Sequence, residues 1–252
     1  MTTLCKNCGE PVGLHFCPNC GQKSSVQRLE LGRLIRELPH AIFHVDKGIF
    51  YNVSQLFKRP GAAIQEYLDG KRKPFFHPVT YLVLTLILNY LAVKITDMHF
   101  YDKAELETLS PEEARIILEY DDTQWWFLEH TYLYMFLAIS FGTLFLYVFF
   151  KWMKRDFNMA EVAVIVLFTI SQGVLMQSIL YFSFGWVRSG VFIRTMEGIN
   201  ASMLWCYASW VIYSMSGQRF ARWIRVIFSI LAGAGLLGLM IWSAYLLFDI
   251  SH

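Results

Sequence analysis

Long apolar segments alternate with charged loops along this chain, on the length scale of a lipid bilayer. Five runs contain no Asp, Glu, Lys or Arg: residues 75–93, 131–150, 162–184, 199–215 and 226–248. Each approaches the roughly 20 residues that a 30 Å hydrocarbon core requires, and the fourth is the shortest. The pattern predicts an all-α polytopic membrane protein with about five transmembrane helices, the fourth being the one least certain to span.

The positive charges fall in alternate loops and predict an orientation. Cations precede the first run, follow the second and separate the fourth from the fifth: Lys71, Arg72, Lys73, Lys151, Lys154, Arg155, Arg219, Arg222 and Arg225. The positive-inside rule makes these loops cytoplasmic, with the N-terminus inside and the C-terminus in the periplasm. Lys71, Arg72 and Lys73 are predicted to be membrane-surface cations, each contributing about 1 kcal/mol against an anionic leaflet.

Composition supports a multi-pass membrane protein. Hydrophobic residues make up 55% of the chain and charged residues only 17%, whereas soluble domains average about 25% charged residues. The net charge of +2 gives no reason to expect a nucleic acid partner. The first twenty residues have no apolar stretch of the kind found in signal peptides.

The loop between the first two apolar runs, residues 94–130, is acidic and long enough to hold structure of its own. Ser110, Pro111 and Glu113 have the spacing of a capping box with proline in the first turn. We therefore predict a helix from Pro111 to about Glu119. A solvated acidic face is favoured over a binding site for a cation.

Four of the five cysteines form two Cys-x-x-Cys-Gly motifs in residues 1–24, the first predicted domain. Cys5, Cys8, Cys17 and Cys20 have the spacing of a zinc ribbon, in which each motif supplies two thiolates to one ion. Two disulfides are the alternative, but cytoplasmic thiols stay reduced. Four protein ligands leave no open position, so the predicted zinc is structural. Ribbons of this size commonly bind a partner protein, which here would be cytoplasmic.

Residues 25–74 form the second predicted domain, a cytoplasmic amphipathic juxtamembrane region, and residues 75–252 the third, the transmembrane helices. Apolar residues recur at helical spacing from residue 29 to residue 42. Pro60 suits the first turn of a short helix and Gly70 the position after its end. We expect that helix to lie flat on the inner membrane surface.

A group of polar residues near the inner interface is a candidate second site. Its members are Glu37, His40, His44, Asp46, Arg59 and His77. Glu37, His40 and His44 are three and four residues apart, which is the spacing of metal-binding or proton-handling pairs on a helix. A polar face at the membrane surface is the favoured interpretation, with metal binding as the alternative.

Three segments together resemble a known family: the Cys-x-x-Cys-Gly pair, the run from Pro39 to Gly48, and Arg59-Pro60-Gly61 followed by residues 67–72. They are similar to the DUF3667 family of uncharacterised bacterial membrane proteins, of the Bacteroidetes type that carries an N-terminal zinc ribbon. The resemblance covers about residues 5–80. It implies no activity, because the family has none established.

No nucleophile elbow, phosphate-binding loop, zinc-protease motif or dinucleotide fingerprint occurs in the chain. The leading hypothesis is a non-enzymatic cytoplasmic docking platform on a membrane bundle. A carrier or channel for a lipid or small molecule and a lipid-modifying enzyme at the inner interface are the alternatives. Ser229 and Gly233, and then Ala234 and Gly238, have small-xxx-small spacing, which favours close helix packing inside the chain over a homo-oligomer contact.

Overall fold

The computed structural model describes residues 3–12, 15–30, 32, 48–99, 101–187, 189–217, 222, 224–235 and 238. Two short strands pair antiparallel near the N-terminus, and helices make up most of the rest. The elements are β1 Thr3–Leu4, β2 Pro11–Val12, α1 Gly48–Lys58, α2 Pro60–Leu68, α3 Pro78–Thr96, α4 Lys103–Leu106, α5 Pro111–Glu129, α6 Thr131–Trp152, α7 Met159–Phe184, α8 Gly190–Met215 and α9 Ile224–Gly235.

Three helices are long and apolar enough to cross a membrane, namely α3, α6 and α7. They coincide with the first three apolar runs of the sequence. The fourth run lies in α8, which has 26 residues but carries Arg194 and Glu197 in its first half. The fifth run is described mainly through α9, a shorter apolar helix. The predicted all-α membrane fold is confirmed, with a transmembrane count close to the expected one.

Helix α7 is the centre of the bundle, and 83% of its apolar window is buried. It contacts α1, α2, α3, α6 and α8. Tyr81 of α3 donates a 2.6 Å hydrogen bond to Gln172 of α7, and Thr96 lies against Gly185 just beyond α7. In both contacts the two residues are separated by nearly the same number of positions along the chain, which means that α3 and α7 run parallel. In this alignment α7 begins about ten residues before the start of α3. The first part of α7 therefore projects ~15 Å beyond α3, and this part is called the overhang.

Helices α1 and α2 pack around this overhang. Tyr67 of α2 places its ring 5.2 Å from that of Phe168, and Tyr207 of α8 donates a hydrogen bond to the carbonyl of Leu56. Helix α2 begins with Pro60 at its first turn and is followed by Gly70 at φ +110°, as predicted. It is buried against protein along much of its length, whereas the sequence suggested a helix flat on the membrane.

The two ends of the bundle differ in what covers them. The end that carries the cysteine-rich head, residues 3–30, is called the head end. The opposite end, called the far end, carries α4 and α5. The predicted capping box is present, since Ser110 and Glu113 bond each other's backbone N–H groups, but α5 continues to Glu129, well past the predicted end. His99 lies 2.9 Å from Asp121 and joins the loop after α3 to α5.

Candidate functional site

The head is built from two turns of the same design. In each Cys-x-x-Cys-Gly motif the glycine N–H donates to the carbonyl of the first cysteine, at 2.9 Å in both Gly9 and Gly21. Both glycines have positive φ, +80° and +71°, which a residue with a side chain adopts only with strain. The sequence therefore repeats one local fold, and each copy turns two thiols in the same direction.

These turns bring the four thiols together. All four Sγ atoms lie within 4.8 Å of one another. The Sγ atoms of Cys5 and Cys20 are 3.6 Å apart, and those of Cys8 and Cys17 are 3.5 Å apart. Disulfide bonds are about 2.05 Å long, so the cysteines are free. A tetrahedral ion with bonds of about 2.3 Å would separate its sulfur ligands by about 3.8 Å, so the four thiols fit a metal ion.

Hydrogen bonds aimed at the sulfurs prepare one of them for metal binding. The side chain of Asn7 and then the backbone of Gln22 lower the pKa of Cys20 to about 6. At Cys8 the backbone of Glu10 lowers the pKa, but desolvation and sharing with the other thiols outweigh it and raise the pKa to about 11. Metals bind thiolates, so the lowered pKa makes Cys20 available as a ligand at neutral pH. A cation at the centre of the cluster would favour the thiolate form of the cysteines.

The head is fixed to the turn that follows α2 by one buried side chain. Gln22 is 5% exposed, and its Nε2 donates to the carbonyl of Gly70 at 3.0 Å. Its Oε1 accepts from the backbone N–H groups of Arg72 and Lys73, both at 3.1 Å. Gly70 faces the head closely, because an added Cβ would lie 2.6 Å from Cδ of Lys6. The head and the turn therefore form one packed unit.

A second tie joins the end of the head to the start of α7. Arg28 donates two hydrogen bonds to the carboxylate of Glu161, at 2.8 and 2.9 Å, and the pair raises the pKa of Arg28. Glu161 also completes a capping box with Asn158, whose Nδ2 donates to the carbonyl of Leu29. The buried end of α7 is thus capped from within its own turn and from the head.

The three cations of the turn differ in their contacts. Lys71 pairs with Glu66 at 3.0 Å. Arg72 donates to the carbonyl of Gln27 at 2.9 Å, whereas Lys73 has an exposed side chain. Arg59 bonds the other oxygen of Glu66. Arg59 first, and Lys71 with it, holds the pKa of Glu66 below its ordinary value.

The candidate polar site is described only in part. Glu37, His40, His44 and Asp46 lie outside the described residues. Arg59 precedes α2, where it also bonds the side chain of Gln55 at 2.6 Å. His77 is half-buried and immediately precedes α3. Whether these residues form one site stays a prediction.

Two structural residues of this region were not predicted. Nothing in the local pattern singles out Gln22, because its partners come almost fifty residues later. Glu161 could have been recognised as a cap, since Asn158-x-x-Glu161 has the spacing of a capping box. Its pairing with Arg28 has no comparable local signal.

Comparison with known proteins places part of this region in a family. A family model described as "Protein of unknown function (DUF3667)" matches residues 46–89. The match contains α1, α2, the turn bound by Gln22 and the first part of α3, but not the cysteines. No curated protein and no solved structure matches the chain significantly. The chain is therefore similar to the DUF3667 family over residues 46–89.

Proposed function

We propose that this chain is a non-enzymatic docking platform in a bacterial inner membrane, formed by a zinc-bound head on a membrane bundle. The head binds a cytoplasmic protein, and the helices anchor and orient the head. The observation that carries the proposal is the buried Gln22 side chain, with its three hydrogen bonds to the turn after α2. A head held this way presents the same surface at all times, as a docking site requires.

Zinc is the metal that this ligand set favours. Four thiolates in tetrahedral geometry are typical of structural zinc sites. The closed site has no open position for a substrate, which supports a structural role over a catalytic one. The head is too small to bury a core of its own, so its fold depends on the metal.

The exposed surface of the head carries the contact residues that we propose for the partner. Leu4 is 69% exposed and Phe16 is 54% exposed. Aromatic residues are enriched at protein–protein interfaces, so we propose Phe16, together with Leu4, as contacts for the partner.

Contacts at the head end support a cytoplasmic location for it. The loop after α6 meets the head through Arg28, which approaches Asp156 as well as Glu161. The end of α8 meets the same loop through Gly217 and Arg155. Three loops with an excess of cations thus gather at one end of the bundle, as the positive-inside rule expects of a cytoplasmic face.

Native mass spectrometry of the full-length protein, released gently from its own membrane, tests this function. We expect one zinc ion per chain and a stoichiometric partner protein. The double variant L4D/F16D should keep the zinc and lose the partner, whereas I116D, on the exposed side of α5 at the far end, should keep both. Partner retention in L4D/F16D would contradict the proposed surface. A stoichiometric bound small molecule or a second metal, without a partner, would contradict the platform.

A carrier is the second candidate, and one observation favours it over an enzyme. Two cavities of about 80 and 100 Å³ lie between α3, α5, α6, α7 and α8, and both are lined by Tyr134 and Gln177. Polar groups shared by neighbouring cavities are expected along a path through a bundle. Substituting Gln177 by Leu would then abolish transport without affecting zinc or partner binding.

A further inference from the structure

The head end contains a cationic cleft that the docking platform does not use. Its volume is about 560 Å³, and it is lined by Tyr213, Ser214, Gly217, Arg222 and Arg225. Its described lining comes from the end of α8 and the start of α9. Arg155, from the loop after α6, borders it through Gly217, since a Cβ added to Gly217 would lie 3.4 Å from Nη1 of Arg155.

The three arginines of this cleft pair with no carboxylate among the residues that the structure describes. Other cations of the head end are paired with carboxylates: Arg28, Arg59, Lys71 and Lys151. Among the described residues, no ion pair within 4.0 Å involves Arg155, Arg222 or Arg225. Carboxylates are therefore distributed over this surface, but none lies among the described residues that line the cleft. Uncompensated positive charge in a concave site attracts an anion.

Two of the guanidinium groups are held in place with hydrogen-bonding capacity left over. Arg225 donates to the carbonyl of Gly217 at 2.6 Å and lies 5.0 Å from the centre of the Tyr213 ring. Arg155 lies 4.8 Å from the centre of the Phe157 ring. The Nε atoms of Arg155 and Arg225 are buried and make no hydrogen bond to described residues. A buried donor without an acceptor is costly unless a ligand supplies one.

The start of α2 adds positive potential at the same edge. Gly61, in the first turn of α2, contacts Ser214, which lines the cleft. This helix has no side-chain cap at its N-terminus, so its first N–H groups contribute the positive end of a helix dipole. Guanidinium groups bind phosphate oxygens through two parallel hydrogen bonds, which makes arginine a common phosphate ligand.

We propose that Arg155, Arg222 and Arg225 bind a phosphate group in this cleft, carried either by the headgroup of an anionic lipid or by a soluble phosphate. The shared chemistry is a tetrahedral anion that receives hydrogen bonds from at least two fixed guanidinium groups. A cleft of this volume has room for the phosphate together with the glycerol of a headgroup.

Binding measurements on the purified full-length protein separate the two sources. In one arm, native mass spectrometry follows the addition of phosphatidylglycerol, with phosphatidylcholine as the neutral control lipid. In the other arm, calorimetry follows the addition of inorganic phosphate. The variants are R225A, R222A and, as the matched control, K58A, which removes an exposed lysine at the end of α1 in the same part of the molecule.

A lipid site is supported if the wild type binds phosphatidylglycerol selectively. This binding should weaken about tenfold or more in R225A, less in R222A and not in K58A. The same order with inorganic phosphate alone supports a soluble ligand. Failure of the wild type to bind either probe overturns the proposal. An equal loss in all three variants also overturns it, because that would be general surface attraction. If R225A does not fold, R222A decides, since its side chain is exposed.

Discussion

The head end and the far end of this bundle are held together in different ways. At the head end, contacts between residues distant in sequence dominate, such as Gln22 with Gly70 and Arg28 with Glu161. At the far end, the first half of α5 has local contacts, the Ser110 cap and the Arg115–Glu119 pair one turn apart, and the helix is joined to the loop after α3 by His99 and Asp121. The head end is therefore assembled by contacts across the whole chain, whereas the start of α5 is specified locally.

Loss of the metal should have the largest effect, and only at the head end. In C17S we expect the bound metal to fall from one ion per chain to nearly none, because the site loses one of its four thiolate ligands. The effect on the head should be large, since metal binding contributes on the order of 10–16 kcal/mol in zinc-finger peptides. Hydrogen exchange should become fast in residues 3–30 and at the turn bound by Gln22, while α5 keeps its protection. The control is C206S, which removes the isolated exposed cysteine. Full metal retention in C17S would exclude the four-thiolate site.

The same Ile→Ala substitution at each end should give the second-largest difference, measured as the loss of unfolding free energy. Ile165 of α7 is fully buried, whereas Ile116 of α5 is 58% exposed. We expect I165A to lower the free energy of unfolding by about 2–5 kcal/mol and I116A to change it by no more than about 0.5 kcal/mol. Thermal unfolding of the detergent-purified protein measures both. Similar losses would mean that the far end is packed as tightly as α7.

Two arginine substitutions compare a long-range ion pair with a local one. R28A leaves the carboxylate of Glu161, whose side chain is 8% exposed, without its cation. We expect a loss of about 1–3 kcal/mol. R115A removes an exposed pair one helical turn apart, and such pairs contribute about 0.3–0.5 kcal/mol. Denaturant unfolding of both variants gives the difference, and an equal effect would contradict the distinction between the two ends.

The smallest expected difference between the two ends is in the pH dependence of their stability. The pKa of Glu66 is lowered chiefly by Arg59, so its contribution to stability is present above the ordinary glutamate pKa of 4.5 and disappears as the pH falls through the lower folded value. E66Q should therefore be less stable than wild type near pH 7 in thermal unfolding and should converge with it once the pH falls below the lowered pKa of Glu66.

Glu113 is the far-end control for this pH dependence, because Ser110 lowers its pKa in the same direction. E113Q should speed hydrogen exchange only at the start of α5, without changing global unfolding. A global pH-dependent change in E113Q, or none in E66Q, would contradict the assignment of the stabilising carboxylate to the head end.

The sequence predicted best what depends on neighbouring residues. Pro60 and Gly70 bounded α2 correctly, and Ser110 and Glu113 gave the start of α5, because caps and turns are decided within a few positions. The Cys-x-x-Cys-Gly spacing likewise brought the four thiols together as expected. Gln22 and the Arg28–Glu161 pair were not predicted, since their partners are far along the chain.

The sequence pattern also did not predict which helices are buried within the bundle. Helices α6 and α7 have almost the same mean hydropathy, 2.1 and 1.9, yet 33% and 83% of their apolar windows are buried. Lipid and protein interior are similarly apolar, so hydropathy does not distinguish a helix that faces lipid from one surrounded by protein. The burial of α2 by protein was missed for the same reason.

The overhang of α7 has a consequence for how the protein is made. A ribosome synthesises α1 and α2 well before α7 and α8, which supply the partners of Tyr67 and Leu56. During that interval the apolar faces of α1 and α2 lack their partners in α7 and α8. The head likewise lacks its contacts with the start of α7. The earliest segments of the chain can therefore close onto α7 and α8 only after both of those helices have been made.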